Sequence, residues 1–214
     1  MLHSTVTSTL ILSLSLLSAA SPIPWLAARG TSVTEAQILK FAPSSNSCAN
    51  PPAEGECATA KTAAKYASQS FQTYKVSSKA EQAAILSLMA FESDDFKYNK
   101  NHFPGTPGQG TRNMQSPAFN KKYASSIPAL SSKIAQVAND PAALLDLLRD
   151  NETYDFGSGA WFLTTQCSAN VRSALQTGSE SGWQQYISDC VGTSVTDERK
   201  AYWEKAVDAL GVKV

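Results

Sequence analysis

A carboxylate closes an otherwise apolar helical face near the middle of the chain. Ser78 followed by Glu81 is a capping box, which predicts that a helix begins there. The face that follows has residues at i, i+3, i+4 and i+7: Ile85, Leu88, Met89 and Glu92. A titratable side chain on an apolar helical face is unusual, and a role in general acid–base catalysis would explain it.

Three features of this position would favour the protonated form of Glu92. Burial beside apolar side chains disfavours a charged carboxyl group. The C-terminal end of a helix carries partial negative charge, and Asp94 and Asp95 add like charge nearby. A glutamic acid that stays protonated near neutral pH can act as a general acid. The alternative is a glutamate at a fraying helix end that points into water.

The first twenty residues predict a secretory signal peptide. They contain no Lys, Arg, Asp or Glu, and an apolar run over residues 9–17 precedes the small residues 18–20. We expect a flexible segment over residues 21–33, with a possible pro-peptide to about residue 29, and a single domain over 34–214. No later run reaches the roughly 20 apolar residues of a membrane helix. The sequence therefore predicts a secreted, extracellular, monomeric protein with no membrane partner.

The charge balance argues against polyanionic partners. Lys and Arg together number 18, as do Asp and Glu, and the formal net charge is zero. Proteins that bind nucleic acid usually carry a basic surface, so nucleic acid is not expected as a partner. A neutral polysaccharide or oligosaccharide fits this balance better.

Cysteine and histidine usage limits the available chemistry. Four cysteines in a secreted chain indicate two disulfides, and the close pairs Cys48–Cys57 and Cys167–Cys190 are favoured among three connectivities. After loss of the signal peptide, His102 is the one remaining histidine. No cysteine or histidine spacing resembles a metal site, and no nucleophile-elbow motif is present. We therefore expect no metal and no cofactor.

Helical periodicity and capping signals predict a mainly α domain with at most a small β element. A Pro/Gly-rich loop interrupts it between Glu92 and Gln115. Helices are predicted from Thr34 to before Pro43 and over about 58–76, 78–92, 116–123, 130–138, 140–148, 154–167, 183–190 and 196–210. Asn151 begins an N-glycosylation sequon between two of them.

Several short motifs resemble the lysozyme-like superfamily, in particular the soluble lytic transglycosylases and goose-type lysozymes. Glu92-Ser93 is similar to the catalytic Glu-Ser of that family, and Met114-Gln115 to the end of its Gly-Leu-Met-Gln motif. The small-residue-rich segment 154–163 resembles a later family helix, so the likeness covers about residues 78–167. The loop 103–110, Arg112 and Asn113 depart from the family pattern.

The resemblance implies a glycan-cleaving enzyme, a glycosidase or lytic transglycosylase acting on a β-1,4-linked polysaccharide. Glu92 would be the general acid and base, and Asp155 is the candidate for a second carboxylate. The candidate substrate-binding residues are Ser93, Tyr98, His102, Asn113, Gln115 and Trp183. A non-catalytic secreted glycan-binding or effector protein and a lysozyme-fold β-mannanase remain as alternatives, since one scaffold hosts many functions.

Overall fold

Helices make up most of the described part of the chain, residues 1, 3 and 32–213 of a computed structural model. The α-helices are α1 Glu35–Phe41, α2 Ala60–Thr73, α3 Lys79–Glu92, α4 Pro117–Ser125, α5 Ser131–Gln136, α6 Pro141–Arg149, α7 Glu152–Asp155, α8 Ser158–Gln166, α9 Ala169–Gln176, α10 Glu180–Gln185 and α11 Asp197–Leu210. Within these ranges, β-structure is limited to the isolated antiparallel bridges Lys100–Gly110 and Gly110–Gln115. The prediction of a mainly α fold with at most a small β element is therefore confirmed.

The expected N-terminal segments cannot be compared with this structure. All of the predicted signal peptide except residues 1 and 3 lies outside the described residues, as does most of the segment 21–33. Each helix within the described ranges is too short or too polar to cross a bilayer.

Local sequence signals place the helix ends. The Thr34 hydroxyl accepts a hydrogen bond from the Gln37 N–H, and the Gln37 side-chain oxygen accepts one from the Thr34 N–H. This reciprocal pair satisfies two backbone donors at the start of α1. Asp140 caps α6 by accepting from the N–H groups of Ala142 and Ala143, and Pro141 lies in the first turn of that helix. At the other end of the chain, α11 stops at Gly211, which adopts the left-handed φ of 63°.

Helix α3 is the centre of the core. Its residues from Ala80 to Ala90 are all buried, so the helix is enclosed on every side rather than on the one apolar face that the sequence suggested. Helix α11 packs along α3, and α1 packs against α11. Helix α8 approaches α3 closely at Gly159, where an added Cβ would lie 2.7 Å from Met89 Cε. The end of α3 therefore has a fixed position relative to its neighbours.

Two predicted helices differ from the structure, and one observed helix was not predicted. The predicted helix 154–167 is interrupted after Asp155, so that α7 and α8 form separate elements. The predicted helix 183–190 begins as α10 and continues as a π-helix, Tyr186–Val191. Helix α9 was not predicted, because its weak apolar pattern lies in a polar stretch. These differences leave the fold class unchanged.

The structure contains both favoured disulfides. Cys48 is bonded to Cys57 and Cys167 to Cys190, and no free cysteine occurs in the described residues. Asn151 is exposed and caps α7, with its side-chain oxygen accepting from the Thr153 N–H at 2.9 Å. Its glycosylation stays a prediction.

Candidate ligand-binding cleft

Glu92 is the last residue of α3 and forms an ion pair with α11. Its Oε1 accepts a hydrogen bond from the guanidinium of Arg199 at 2.8 Å. The Glu92 side chain is 22 % exposed and that of Arg199 is 15 % exposed. The pair joins the end of α3 to α11, a contact that sequence reasoning did not include. The expected role of Glu92 as an acid stays a prediction.

Asp95, one of the two aspartates that follow Glu92, is engaged by other parts of the chain. Its carboxylate accepts hydrogen bonds from the backbone N–H and the hydroxyl of Ser44 at 2.9 and 2.8 Å. Its other oxygen accepts from the Tyr202 hydroxyl at 2.9 Å. Asp95 thus holds α11 against the end of α3. It is a structural group rather than a second charge beside the cleft.

Helix α3 ends in an unusual turn. Asp94, Asp95 and Phe96 have φ values of 50°, 53° and 66°, a left-handed conformation that is uncommon for residues other than glycine. Ser93 stabilises this turn, since its hydroxyl donates to the Met89 carbonyl at 2.6 Å and accepts from the Phe96 N–H at 3.0 Å. Ser93 is fully buried. Its predicted role in binding substrate is wrong, because the side chain is buried and engaged in the turn.

Two adjoining cavities meet at Glu92. The inner cavity has a volume of about 350 Å³ and the outer cavity of about 290 Å³. They share Glu92, Gln109 and Met114, so we treat them together as one cleft. The inner cavity is also lined by Leu88, Asn113, Gln115, Ser116, Phe119, Phe162, Val191, Thr193 and Arg199. The outer cavity is also lined by Tyr98, Lys100, Asn101, His102 and Phe103. A concave site with apolar walls and a few polar groups is typical of ligand binding.

The predicted amide contacts lie in the inner cavity. Asn113 Oδ1 accepts from the hydroxyls of Thr111 and Ser158 at 2.9 and 2.8 Å, and its amide nitrogen donates to Gln115 at 3.3 Å. Gln115 in turn donates to Asn120 at 2.7 Å. The structure thus brings both predicted residues to the cleft, but much of their hydrogen-bonding capacity is already used.

Tyr98 and His102 lie together on the outer cavity. Their ring centroids are 5.1 Å apart. His102 Nε2 lies 3.0 Å from the Glu56 carboxylate, which also accepts from the Asn99 N–H at 3.1 Å. Glu56 belongs to the loop closed by the Cys48–Cys57 disulfide, so this contact ties the cleft loop to that disulfide loop. Both predicted residues are therefore in the cleft, and His102 is anchored there.

Asp155 cannot be a second carboxylate facing a ligand. It is completely buried, and its Oδ2 lies 2.7 Å from Arg112 Nε and 3.1 Å from the Asn99 amide nitrogen. Burial raises the pKa of Asp155 to about 6, an effect that Arg112 and the Asn99 hydrogen bond oppose. Asp155 and Arg112 instead form an ion pair beneath the loop, which corrects the predicted catalytic role.

Arg112 connects this buried pair to the cleft loop. One of its guanidinium nitrogens donates to the carbonyl oxygens of Phe96 and Tyr98 at 2.9 and 3.1 Å. The Arg112 side chain is 3 % exposed. The sequence showed Arg112 only as a departure from the family pattern. Its structural role explains why an arginine stands there.

The predicted contact of Trp183 with substrate also needs correction. It is 1 % exposed and stacks on Trp203 with ring centroids 5.0 Å apart and planes at 14°. A ring enclosed in this way has no face available to a ligand, so its predicted substrate contact is wrong. Arg199 and Gln109 are cleft residues that sequence reasoning missed, because neither belongs to a motif.

Part of a larger known protein is similar to this chain. The chain is 47 % identical over 156 residues to a bifunctional dioxygenase (DOX)–epoxy alcohol synthase (EAS) of Fusarium oxysporum (strain Fo5176). The match covers 70 % of this chain but 12 % of that protein, so the chain spans a small part of the relative's length. No protein-family model matches the chain, and no solved structure matches it significantly. The lysozyme-like resemblance thus stays a prediction.

The relative overturns the expected enzyme class. We expected a glycosidase or a lytic transglycosylase, whereas the similar protein is named as a dioxygenase and epoxy alcohol synthase.

Proposed function

We propose that the chain binds a neutral, polyhydroxylated ligand such as an oligosaccharide in the cleft, without cleaving it. The observation that carries the proposal is the Glu92–Arg199 ion pair at the junction of the two cavities. An ionised carboxylate only accepts hydrogen bonds, and a guanidinium only donates them. Together they offer both kinds of partner to a ligand hydroxyl group.

The other cleft residues support this ligand class. One Glu92 oxygen makes no hydrogen bond to the described residues. The side-chain oxygen of Gln109 likewise makes none to them, since the hydrogen bond of this side chain is donated by its nitrogen. Lys100 and Asn101 add donors to the outer cavity. Apolar groups such as Phe119 and Phe162 line the inner cavity, and sugar rings have apolar faces that pack on such walls. The zero formal net charge of the chain suits an uncharged ligand.

The expected affinity is modest. The net contribution of one hydrogen bond to the binding free energy is about 1 kcal/mol, and a hydrogen bond to a charged group contributes about 1.5–3 kcal/mol. A few such contacts, less the cost of association, correspond to a dissociation constant of about 10 μM to 1 mM. Affinities in this range are measurable by isothermal titration calorimetry.

Binding of the full chain to oligosaccharides of chitin, mannan and peptidoglycan tests the proposal. Glu92→Gln should weaken binding of the preferred glycan at least tenfold, because it removes a charged acceptor. Glu204→Gln is the matched control, since Glu204 is an exposed glutamate of α11 that lines neither cavity. The glycan affinity of the Glu204→Gln variant should stay within twofold of that of the wild type. Absence of binding to every glycan would refute the proposal. Release of shorter glycans by the wild type, with reducing ends or with products lighter by one water, would refute it as well.

A second candidate function follows from the Fusarium relative. The 47 % identity favours a contribution to dioxygenase or epoxy alcohol synthase chemistry. Chemistry with O₂ generally uses a cofactor or a redox-active metal. In the described residues, no group of three His, Cys, Asp or Glu side chains is arranged to hold a metal ion. Stoichiometric metal or a visible absorption band in the purified chain would favour this candidate, and absence of both would count against it.

A further inference from the structure

A single aromatic ring stands in solvent at the rim of the outer cavity. Phe103 is 91 % exposed, whereas the aromatic rings of the core are buried. The other exposed large hydrophobic residues of the described chain are Met1 and Val195, and neither lines the cleft. An exposed phenylalanine ring contributes little to the free energy of folding, because hydrophobic stabilisation depends on removal of apolar surface from water.

The turn that carries this ring is held in place by the Asn101 side chain. Asn101 Oδ1 accepts hydrogen bonds from the N–H groups of Gly105 and Thr106 at 2.8 and 3.0 Å. Its amide nitrogen donates to the Phe103 carbonyl oxygen at 3.1 Å. The turn is therefore fixed around a ring that makes no contribution to the core.

The base of the same loop is fixed as well. The Asn101 N–H donates to the Gln109 carbonyl at 3.0 Å, and His102 contacts the buried Glu56. Fixing a loop before binding lowers the entropy that a ligand must remove. The loop thus presents Phe103 beside the cleft in a preorganised position.

We propose that Phe103 is the platform of an outer subsite, where one sugar ring of the ligand stacks on the phenylalanine ring. The inference rests on the proposed function and deepens it, since it defines a ligand long enough to pass from the Glu92–Arg199 pair to Phe103. The apolar face of a pyranose suits an aromatic ring, and its hydroxyl groups then reach Lys100 and Asn101 at the edge of the outer cavity. Longer oligosaccharides are therefore bound more tightly than short ones.

Binding measurements with two ligand lengths test this inference on the full chain. The probes are disaccharides and hexasaccharides of chitin, mannan and peptidoglycan, measured by isothermal titration calorimetry. Phe103→Ala should weaken hexasaccharide binding about fivefold to tenfold and leave disaccharide binding within twofold. Phe103→Trp should retain hexasaccharide affinity, because it keeps an aromatic face. Val195→Ala, a second exposed hydrophobic position outside the cleft, is the control and should change neither affinity.

A positioning variant separates the ring from the turn that holds it. Asn101→Ala keeps the Phe103 ring but removes three hydrogen bonds of the turn, so it should reduce hexasaccharide affinity by a smaller factor than Phe103→Ala. Circular dichroism should show the same helix content in every variant, since the loop lies outside the helices.

The outcomes distinguish this inference from the proposed function. Absence of glycan binding by the wild type would overturn both. Equal hexasaccharide affinities of the wild type and Phe103→Ala, with binding retained, would overturn the subsite alone. Self-association that disappears in Phe103→Ala, seen by sedimentation velocity without a ligand, would also overturn it, because the ring would then pack against a second copy of the chain.

Discussion

Replacing Arg112 by methionine should destabilise the protein more than any comparable change at a surface ion pair. The substitution leaves the buried Asp155 without its cation and removes the hydrogen bonds from Arg112 to the carbonyl oxygens of Phe96 and Tyr98. The Phe96 carbonyl still accepts from the Ala58 N–H, so the lost cation is the main cost. Removing one partner of a buried pair costs about 3–5 kcal/mol. We therefore expect the free energy of unfolding at pH 7.5 to fall by this amount. Urea denaturation followed by far-ultraviolet circular dichroism measures it.

The loss should be smaller at acid pH. Burial raises the pKa of folded Asp155 to about 6, from an ordinary value of 3.8. As the pH falls below about 6, Asp155 becomes protonated in the wild type and its charge attraction to Arg112 disappears. In Arg112→Met the guanidinium no longer lowers the pKa of Asp155. Asp155 is therefore protonated at a higher pH in the variant than in the wild type. The difference between the two proteins should therefore shrink by about 1 kcal/mol or more between pH 7.5 and pH 5, since one pKa unit corresponds to 1.36 kcal/mol.

Two further variants test the physical origin of this effect. Arg149→Met removes an arginine whose partner Asp146 is 48 % exposed, and it should cost no more than about 1 kcal/mol. Arg112→Met combined with Asp155→Leu removes both buried charges and should recover part of the loss. A cost below 1 kcal/mol for Arg112→Met, or a cost that does not change with pH, would refute this reasoning.

Two other predictions concern packing and cross-linking. Gly159→Ala should reduce the free energy of unfolding by about 1–3 kcal/mol in urea titrations, because its Cβ would meet Met89 Cε at 2.7 Å where α8 crosses α3. An unchanged stability would show that Met89 moves aside freely. Replacing both Cys167 and Cys190 by serine should cost about 3.5 kcal/mol, against about 2.5 kcal/mol for Cys48 and Cys57, because the first pair encloses a longer loop of the unfolded chain. Thermal unfolding of the two double variants would contradict the chain-entropy account if their order were reversed.

Local signals predicted much of the fold. The side-chain caps at Thr34 and Ser78 and the prolines at the starts of α4 and α6 each act within a few residues, so the sequence displays them directly. The Glu81 side chain pairs with Arg172 and does not complete the capping box predicted at Ser78. The close cysteine pairs are also favoured by short separation. The interruption between α7 and α8 was not predicted, since the apolar run there continues across it.

The site was predicted less well, because its chemistry depends on contacts between distant parts of the chain. Glu92 is separated from Arg199 by 107 residues, and no periodicity links them. Asp155 is predicted to be a second carboxylate, but its ion pair with Arg112 lies in the core. Trp183 is predicted to contact substrate, whereas its stacking on Trp203 buries it. Tyr98, His102, Asn113 and Gln115 line the cleft, and their predicted contacts with substrate stay predictions.

The hydrogen bonds of Arg112 divide the cleft loop into two parts with different tolerance to sequence change. Its guanidinium holds the residues near 96–98, so substitutions there disturb the core. The tip around Phe103 is held by local contacts of Asn101, and its side chains face solvent. Selection can therefore vary the tip at little cost in stability, since surface substitutions usually change it by less than about 0.5 kcal/mol. Divergence among descendants of this fold should concentrate at the tip, and with it divergence in ligand preference.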